Sequence, residues 1–167
     1  MTLVSRKEQF GRDAANRLGE SLAPTVAGAR AALETFYYAF NNQLPDLLNE
    51  VWSTRGPVQL NNPLGGVLRN PQDIQALYAR LLTSEARVWV EFYDIEEWAG
   101  PDFVVFAGRE RGEYVNRGRT VPLAIRTTRV YRYDDDFGGW RQVHHHGSID
   151  DAALLKDYQG AAATAHS

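Results

Sequence analysis

From Arg87 to Ile149 the chain alternates with a period of two, and this limits its fold more than any other feature. Three long segments, Arg87 to Trp98, Phe103 to Tyr114 and Thr120 to Tyr133, read as strands, with a fourth from Trp140 to Ile149. The breaks between them, Ala99-Gly100-Pro101-Asp102, Asn116-Arg117-Gly118-Arg119 and the acidic, glycine-containing loop from Asp134 to Gly139, have turn composition. Consecutive long strands joined this way form an antiparallel meander.

Upstream of Ser84 the spacing is helical. Val26, Ala29, Leu33, Phe36, Tyr37, Phe40 and Leu44 recur at three- and four-residue steps, giving one apolar stripe that Pro45 stops. Asp46 can cap a short helix carrying Leu47, Leu48, Val51 and Trp52. Val58-Gln59-Leu60 reads as a brief strand running into a loop from Asn61 to Gly66. A third helix opens with Asn70 as cap and Pro71 in its first turn.

Helices followed by an antiparallel meander define an α+β domain. Strands this long must bend in a small protein, and a curved sheet around a helix leaves a cone with a cavity inside. Residues 1–23 are expected to be an N-terminal extension with a short helix over Ser5 to Glu20, and 24–158 a single domain. A last turn of helix capped by Asp150 or Asp151 is expected to run through Tyr158, and 159–167 to be a disordered tail.

Bulk properties exclude several functions. The 167 residues carry 18 basic and 21 acidic side chains, well interspersed, so no nucleic-acid footprint is visible. There is no cysteine, hence no disulfide framework and no thiolate chemistry. No apolar run approaches a membrane span, and the N-terminus lacks the apolar segment of a signal peptide; a cytoplasmic protein is expected.

The candidate site comes from strand faces. Val121, Leu123, Ile125, Thr127, Arg129 and Tyr131 share the greasier face of the third strand, so Arg129 falls on the core side. A guanidinium there needs a carboxylate partner, hydrogen bonds or a wet cavity, unless it lies across an exposed aromatic face with its head in water. Arg109 continues the Phe103–Val105–Ala107 face and either joins Arg129 as a second anion-binding arginine or forms ordinary cross-strand ion pairs. Both faces of the first strand carry apolar residues, Trp89 among them, which implies that the outer face is covered by a second copy in a homodimer.

His144 and His146 share one face of the last strand and His145 takes the other. No third ligand accompanies the H-x-H pair, so no metal or other cofactor is expected, and a histidine lining the cavity suits acid–base work. Asp134-Asp135-Asp136 lacks the ligand spacing of a calcium loop.

Thr128-Arg129-Val130-Tyr131-Arg132, Gly139-Trp140-Arg141 and Val143-His144-His145-His146-Gly147-Ser148 resemble the C-terminal strand pair of the NTF2-like superfamily. The pattern is similar to SnoaL-like proteins, and most similar to the association domain of calcium/calmodulin-dependent protein kinase II. The likeness spans about residues 25 to 149. It implies a cone of one long and two shorter helices in a curved antiparallel sheet, a deep pocket and sheet-to-sheet dimers. It also implies that Arg129 and Arg109 line the pocket, matching the arginines of the kinase association domain. Where isomerases of the superfamily often carry Asp-Pro, this chain reads Asn62-Pro63.

Three functions are therefore expected in competition. In the first, a homodimeric domain binds a small anionic or polar-aromatic molecule through Arg109, Arg129, Tyr131, Trp52, Trp89 and Asn62. In the second, an isomerase, cyclase or dehydratase uses one of His144 to His146 as base, His144 and His146 being the named candidates, and Tyr37 or Tyr38 as proton donor. The third is an oligomerisation module without ligand. No nucleic-acid or membrane partner is expected.

Overall fold

A computed structural model describes residues 1–163. Its sheet has seven strands in the order β1-β4-β5-β6-β7-β2-β3. The strands are β1 (Thr2–Arg6), β2 (Gln59–Asn61), β3 (Val67–Leu68), β4 (Arg87–Ala99), β5 (Phe103–Asn116), β6 (Arg119–Asp134) and β7 (Gly139–Ser148). β4 to β7 form the expected antiparallel meander, and the sheet is mixed because β2 runs parallel to β7, pairing Leu60 with His145. The sheet is curved and unclosed around α1 (Val26–Asn41), with α2 (Pro45–Val51), α3 (Pro71–Thr83) and α4 (Ala152–Ala163) completing an α+β cone.

α1, α3 and α4 start where side chains can satisfy free backbone donors, whereas α2 follows Leu44 with no side-chain cap. It begins at Pro45, so Asp46, expected as the cap, lies inside its first turn. Thr25 accepts from the Gly28 N–H, Asn70 from Gln72, and Asp151 from Ala153 and Leu154. α1 buries Ala29, Ala32, Leu33, Phe36, Tyr37 and Phe40 against the concave face of the sheet. No helix among the described residues is long and apolar enough to cross a membrane.

Two register shifts bend the long strands. In β4 the pairing steps from Tyr93–Arg109 to Glu96–Ala107, and Asp94 takes a left-handed backbone with φ 54°. This bulge lets Ile95 and Glu97 point inward after Val88, Val90 and Phe92. Glu97 is only 2% exposed and takes a bidentate pair from Arg30 of α1, both contacts at 2.7 Å. In β7, Val130 pairs with His144 but Tyr131 pairs with Gln142, leaving Val143 as the extra residue.

The N-terminal segment differs from expectation. Ser5 to Glu20 is not a helix: Thr2–Arg6 pairs antiparallel with β4, Phe10 bridges Phe92, and only Glu20–Leu22 forms a short 3-10 turn. The apolar spacing of Phe10, Ala14 and Leu18 is shared by a strand-edge segment that packs on the core at intervals. The Phe10 ring stacks on Tyr37 at 6.4 Å, and the Arg17 N–H donates to Thr35, so the segment is part of the domain's packing. At the other end, helix continues beyond Tyr158 to Ala163, which corrects the expectation of disorder for 159–163; the remainder of that expectation lies outside the described residues.

Candidate functional site

α1, the middle of the sheet and α3 enclose a cavity of about 390 Å³. Phe36 and Phe40 of α1, Leu77 and Leu81 of α3, and Val90 and Leu123 of the sheet supply apolar walls. Leu64, Arg80, Ser84, Tyr158 and Ala162 also line it. α4 is held there by Gln159, which donates to the Leu64 carbonyl at 3.0 Å, and by Tyr158, whose ring lies 5.1 Å from Tyr114.

The ionisable acid, base and imidazole buried in this lining are Glu110, Arg129 and His145, exposed to 3%, 2% and 5%. Arg129 is core-facing, as the strand pattern predicts, and each of its three nitrogens has a partner. Nη2 donates to Glu110 Oε1 at 2.9 Å, Nε to the Tyr37 hydroxyl at 2.9 Å, and Nη1 to Gln142 Oε1 at 3.1 Å. Its guanidinium lies 3.6 Å from the centre of the Phe36 ring. Tyr37 in turn donates to Glu110 Oε1 at 2.6 Å, and Tyr131 to Gln142 Oε1 at 2.8 Å. Burial disfavours the charge on Arg129, but Tyr37 and Glu110 outweigh it and hold the group protonated above its ordinary range. Burial also raises the Tyr37 phenol well above its usual value and pushes Tyr78 up to about 12, so both phenols stay protonated.

His145 has the opposite character. Neither Nδ1 nor Nε2 has a hydrogen-bond partner among the described residues. Burial, reinforced by the nearby charge of Arg129, lowers its pKa well below the usual imidazole value, so the ring is neutral.

The structure redistributes the residues expected at the site. Arg109 does not join Arg129: it lies on the convex face, 59% exposed, against Asp94 at 3.3 Å. The inward face of β5 is Val104, Phe106, Glu110 and Tyr114, so the residue beside Arg129 is an acid and not a second arginine. Phe103, Val105 and Ala107 were misleading because the outer face is also apolar in that half. Trp89 is likewise on the convex face, with Arg12 4.1 Å above its ring. Trp52 is buried and packs 6.3 Å from Tyr78, and Tyr37 and Tyr131 stand behind the cavity as hydrogen-bond partners of its polar end. Asn62 does line the cavity, its side chain accepting from the Leu64 N–H.

His144 and His146 are outside the cavity lining; His146 is exposed beside Asn61, and His145 is the one inside. Gln142 faces inward, and strict alternation from it would bring in 144 and 146. The extra residue Val143 exchanges the faces beyond it. Glu110 was missed although it shares a face with Phe106, and the need of Arg129 for a carboxylate was the signal that could have found it. Among the described residues no group of three or more His, Asp or Glu side chains could hold a metal ion.

Taken together, the fold and cavity define an α+β cone domain with an internal, mainly apolar chamber and one polar end. No family model and no curated protein matches the chain. Solved structures do, and they show that the cone is the NTF2-like fold. One is a protein proposed to be a calcium/calmodulin-dependent protein kinase type II association domain from Thiobacillus denitrificans, 28% identical over 71% of this chain and 92% of its own, with TM-score 0.59. Another of that description, from Xanthomonas campestris, is 21% identical over 75% of this chain and 89% of its own, with TM-score 0.62. A proposed dehydratase of the NTF2-like family from Streptomyces avermitilis is 20% identical over 74% of this chain and 95% of its own, with TM-score 0.62.

Proposed function

We propose that the chain is an NTF2-like ligand-binding domain that holds a small polar-aromatic molecule inside the cone. The observation that carries this reading is the cavity of about 390 Å³, apolar along its walls and ending in Glu110, Arg129 and His145. Ligand sites are typically concave, mostly apolar and provided with a few convergent polar groups. Of the two ligand classes the sequence suggests, the anionic one loses support because Glu110 already neutralises Arg129. A pure oligomerisation module would need no chamber of this kind. Should the bound molecule be a substrate, acid–base chemistry would run through His145, because His144 and His146 lie outside the cavity lining.

Fluorescence titration with 1-aminoanthracene, which brightens in enclosed apolar sites, tests the reading. Saturable binding of one probe per chain is expected, and Val90→Trp, which fills the cavity, should remove it. Absence of enhancement in the wild type would overturn the reading.

The second copy proposed on the convex face is supported by half-exposed apolar residues in register across three strands, Trp98, Val105 and Val130. The names of the Thiobacillus and Xanthomonas proteins, proposed association domains, agree with such self-assembly. Light scattering on a size-exclusion column should give a dimer for the wild type and a monomer for Val130→Glu; a wild-type monomer would exclude the interface.

A further inference from the structure

We propose that the ligand is an uncharged molecule whose hydroxyl group docks on the His145 imidazole at the polar end of the cavity. This rests on the ligand-binding reading above and names the chemistry that the site selects. The inference starts from an accounting of donors and acceptors. Each nitrogen of Arg129 already donates a bond, to Tyr37, Gln142 or Glu110. Both bonds to Glu110 fall on Oε1. His145 differs in having no bond at all: it is 5% exposed and lines the cavity, and both ring nitrogens, themselves closed to water, are unpartnered among the described residues, whereas Arg129 and Glu110 each hold at least two bonds. A buried polar group without a partner is costly, so a molecule that satisfies the ring gains what the protein alone forgoes.

The charge at this end selects against ions. Arg129 and Glu110 cancel at 2.9 Å, and burial beside Arg129 keeps His145 neutral. A carboxylate placed at this end would meet an arginine already paired, the other lining arginine, Arg80, being an exposed residue of α3, and an ammonium group would sit beside a guanidinium. An unsubstituted hydrocarbon would fill the walls but leave the imidazole unsatisfied. Neutral imidazole offers one donor and one acceptor nitrogen, and a hydroxyl group can serve as partner to either. A carbonyl can serve only the donor.

Isothermal titration calorimetry of the whole chain with 5-indanol, indane-5-carboxylate and indane near neutral pH tests this, because the three probes share a frame and differ in one group. The indanol should bind about tenfold or more tighter than either of the others, the worth of one well-made hydrogen bond in a dry site. His145→Phe should bring indanol down to the level of indane, while His145→Gln, which keeps a donor and an acceptor, should retain part of the difference; circular dichroism checks that both variants fold. The comparison on wild-type protein stands even if neither does. Tighter or equal binding of the carboxylate would overturn the inference in favour of an anion site on Arg129. Equal affinity for indane and indanol would overturn it while leaving the cavity reading intact. Binding of none of the three would remove the ligand-binding reading itself, and the inference with it.

Discussion

Arg129 of β6 and Glu110 of β5 meet across the concave face of the sheet, Nη2 to Oε1 at 2.9 Å, with both side chains 4% exposed or less. Removing one partner of such a pair leaves a bare charge in the core. Glu110→Gln and Arg129→Ala should each lower stability by about 3–5 kcal/mol in urea denaturation, whereas Arg129→Met combined with Glu110→Leu should recover more than half of that loss. A double variant no more stable than the singles would show that Tyr37 and Gln142, not the charge pair, carry the cost.

A second expectation concerns pH. His145 is neutral in the fold with its pKa well below 6.5, and burial shifts half-buried His144 the same way. Above about pH 7.5, roughly one unit over the unfolded imidazole value, both imidazoles are neutral in the folded and unfolded chain and contribute no slope. Below that value the unfolded chain binds protons that the folded one refuses, so stability falls with falling pH, by up to about 1.4 kcal/mol per unit for His145. The charges of Arg129 and His146 oppose protonation from neighbouring positions. Melting temperature measured from pH 7.5 down to 5 should drop, and His145→Gln should flatten the curve; equal slopes for both proteins would exclude His145 as its source.

Close strand approach makes a third site sensitive. A Cβ on Gly112 would stand 1.9 Å from the Trp89 carbonyl oxygen, and one on Gly108 2.7 Å from the carbonyls of Tyr93 and Asp94. Gly112→Ala should therefore cost about 3 kcal/mol or more, since backbone and not a mobile side chain must move. A melting temperature within a degree of wild type would contradict this packing.

The N-terminal strand supplies a fourth. Deleting residues 1–23 uncovers the β4 edge and removes the stacking of Phe10 on Tyr37. The shortened protein should be less stable and should aggregate through the freed edge, as seen by light scattering. Unchanged stability would return the segment to the status of a dispensable extension.

Much of this architecture was legible in the residues. The stripe of α1, the Asn70-Pro71 start of α3 and the four long strands follow from spacing and caps, which act within a few residues. Arg129 was legible too, because an apolar strand face makes one charge conspicuous. Its partner was not, since β5 is apolar on both faces where it matters and alternation alone could not rank them. The histidines escaped for a different reason. A bulge is set by strand pairing, and pairing partners such as Tyr131 and Gln142 are distant decisions that local alternation does not contain. The β1 strand escaped likewise, as Thr2–Arg6 has an edge to join only once β4 exists.

The two bulges, at Asp94 and at Val143, give the curvature of the cone an address in the chain. Chamber size and chamber chemistry are thereby separable. Inserting or deleting a single residue at either address would widen or flatten the enclosure while its lining side chains stayed the same. A lineage of such proteins could thus retune what fits by small length changes in its strands, and retune what binds by substitution, as two independent dials.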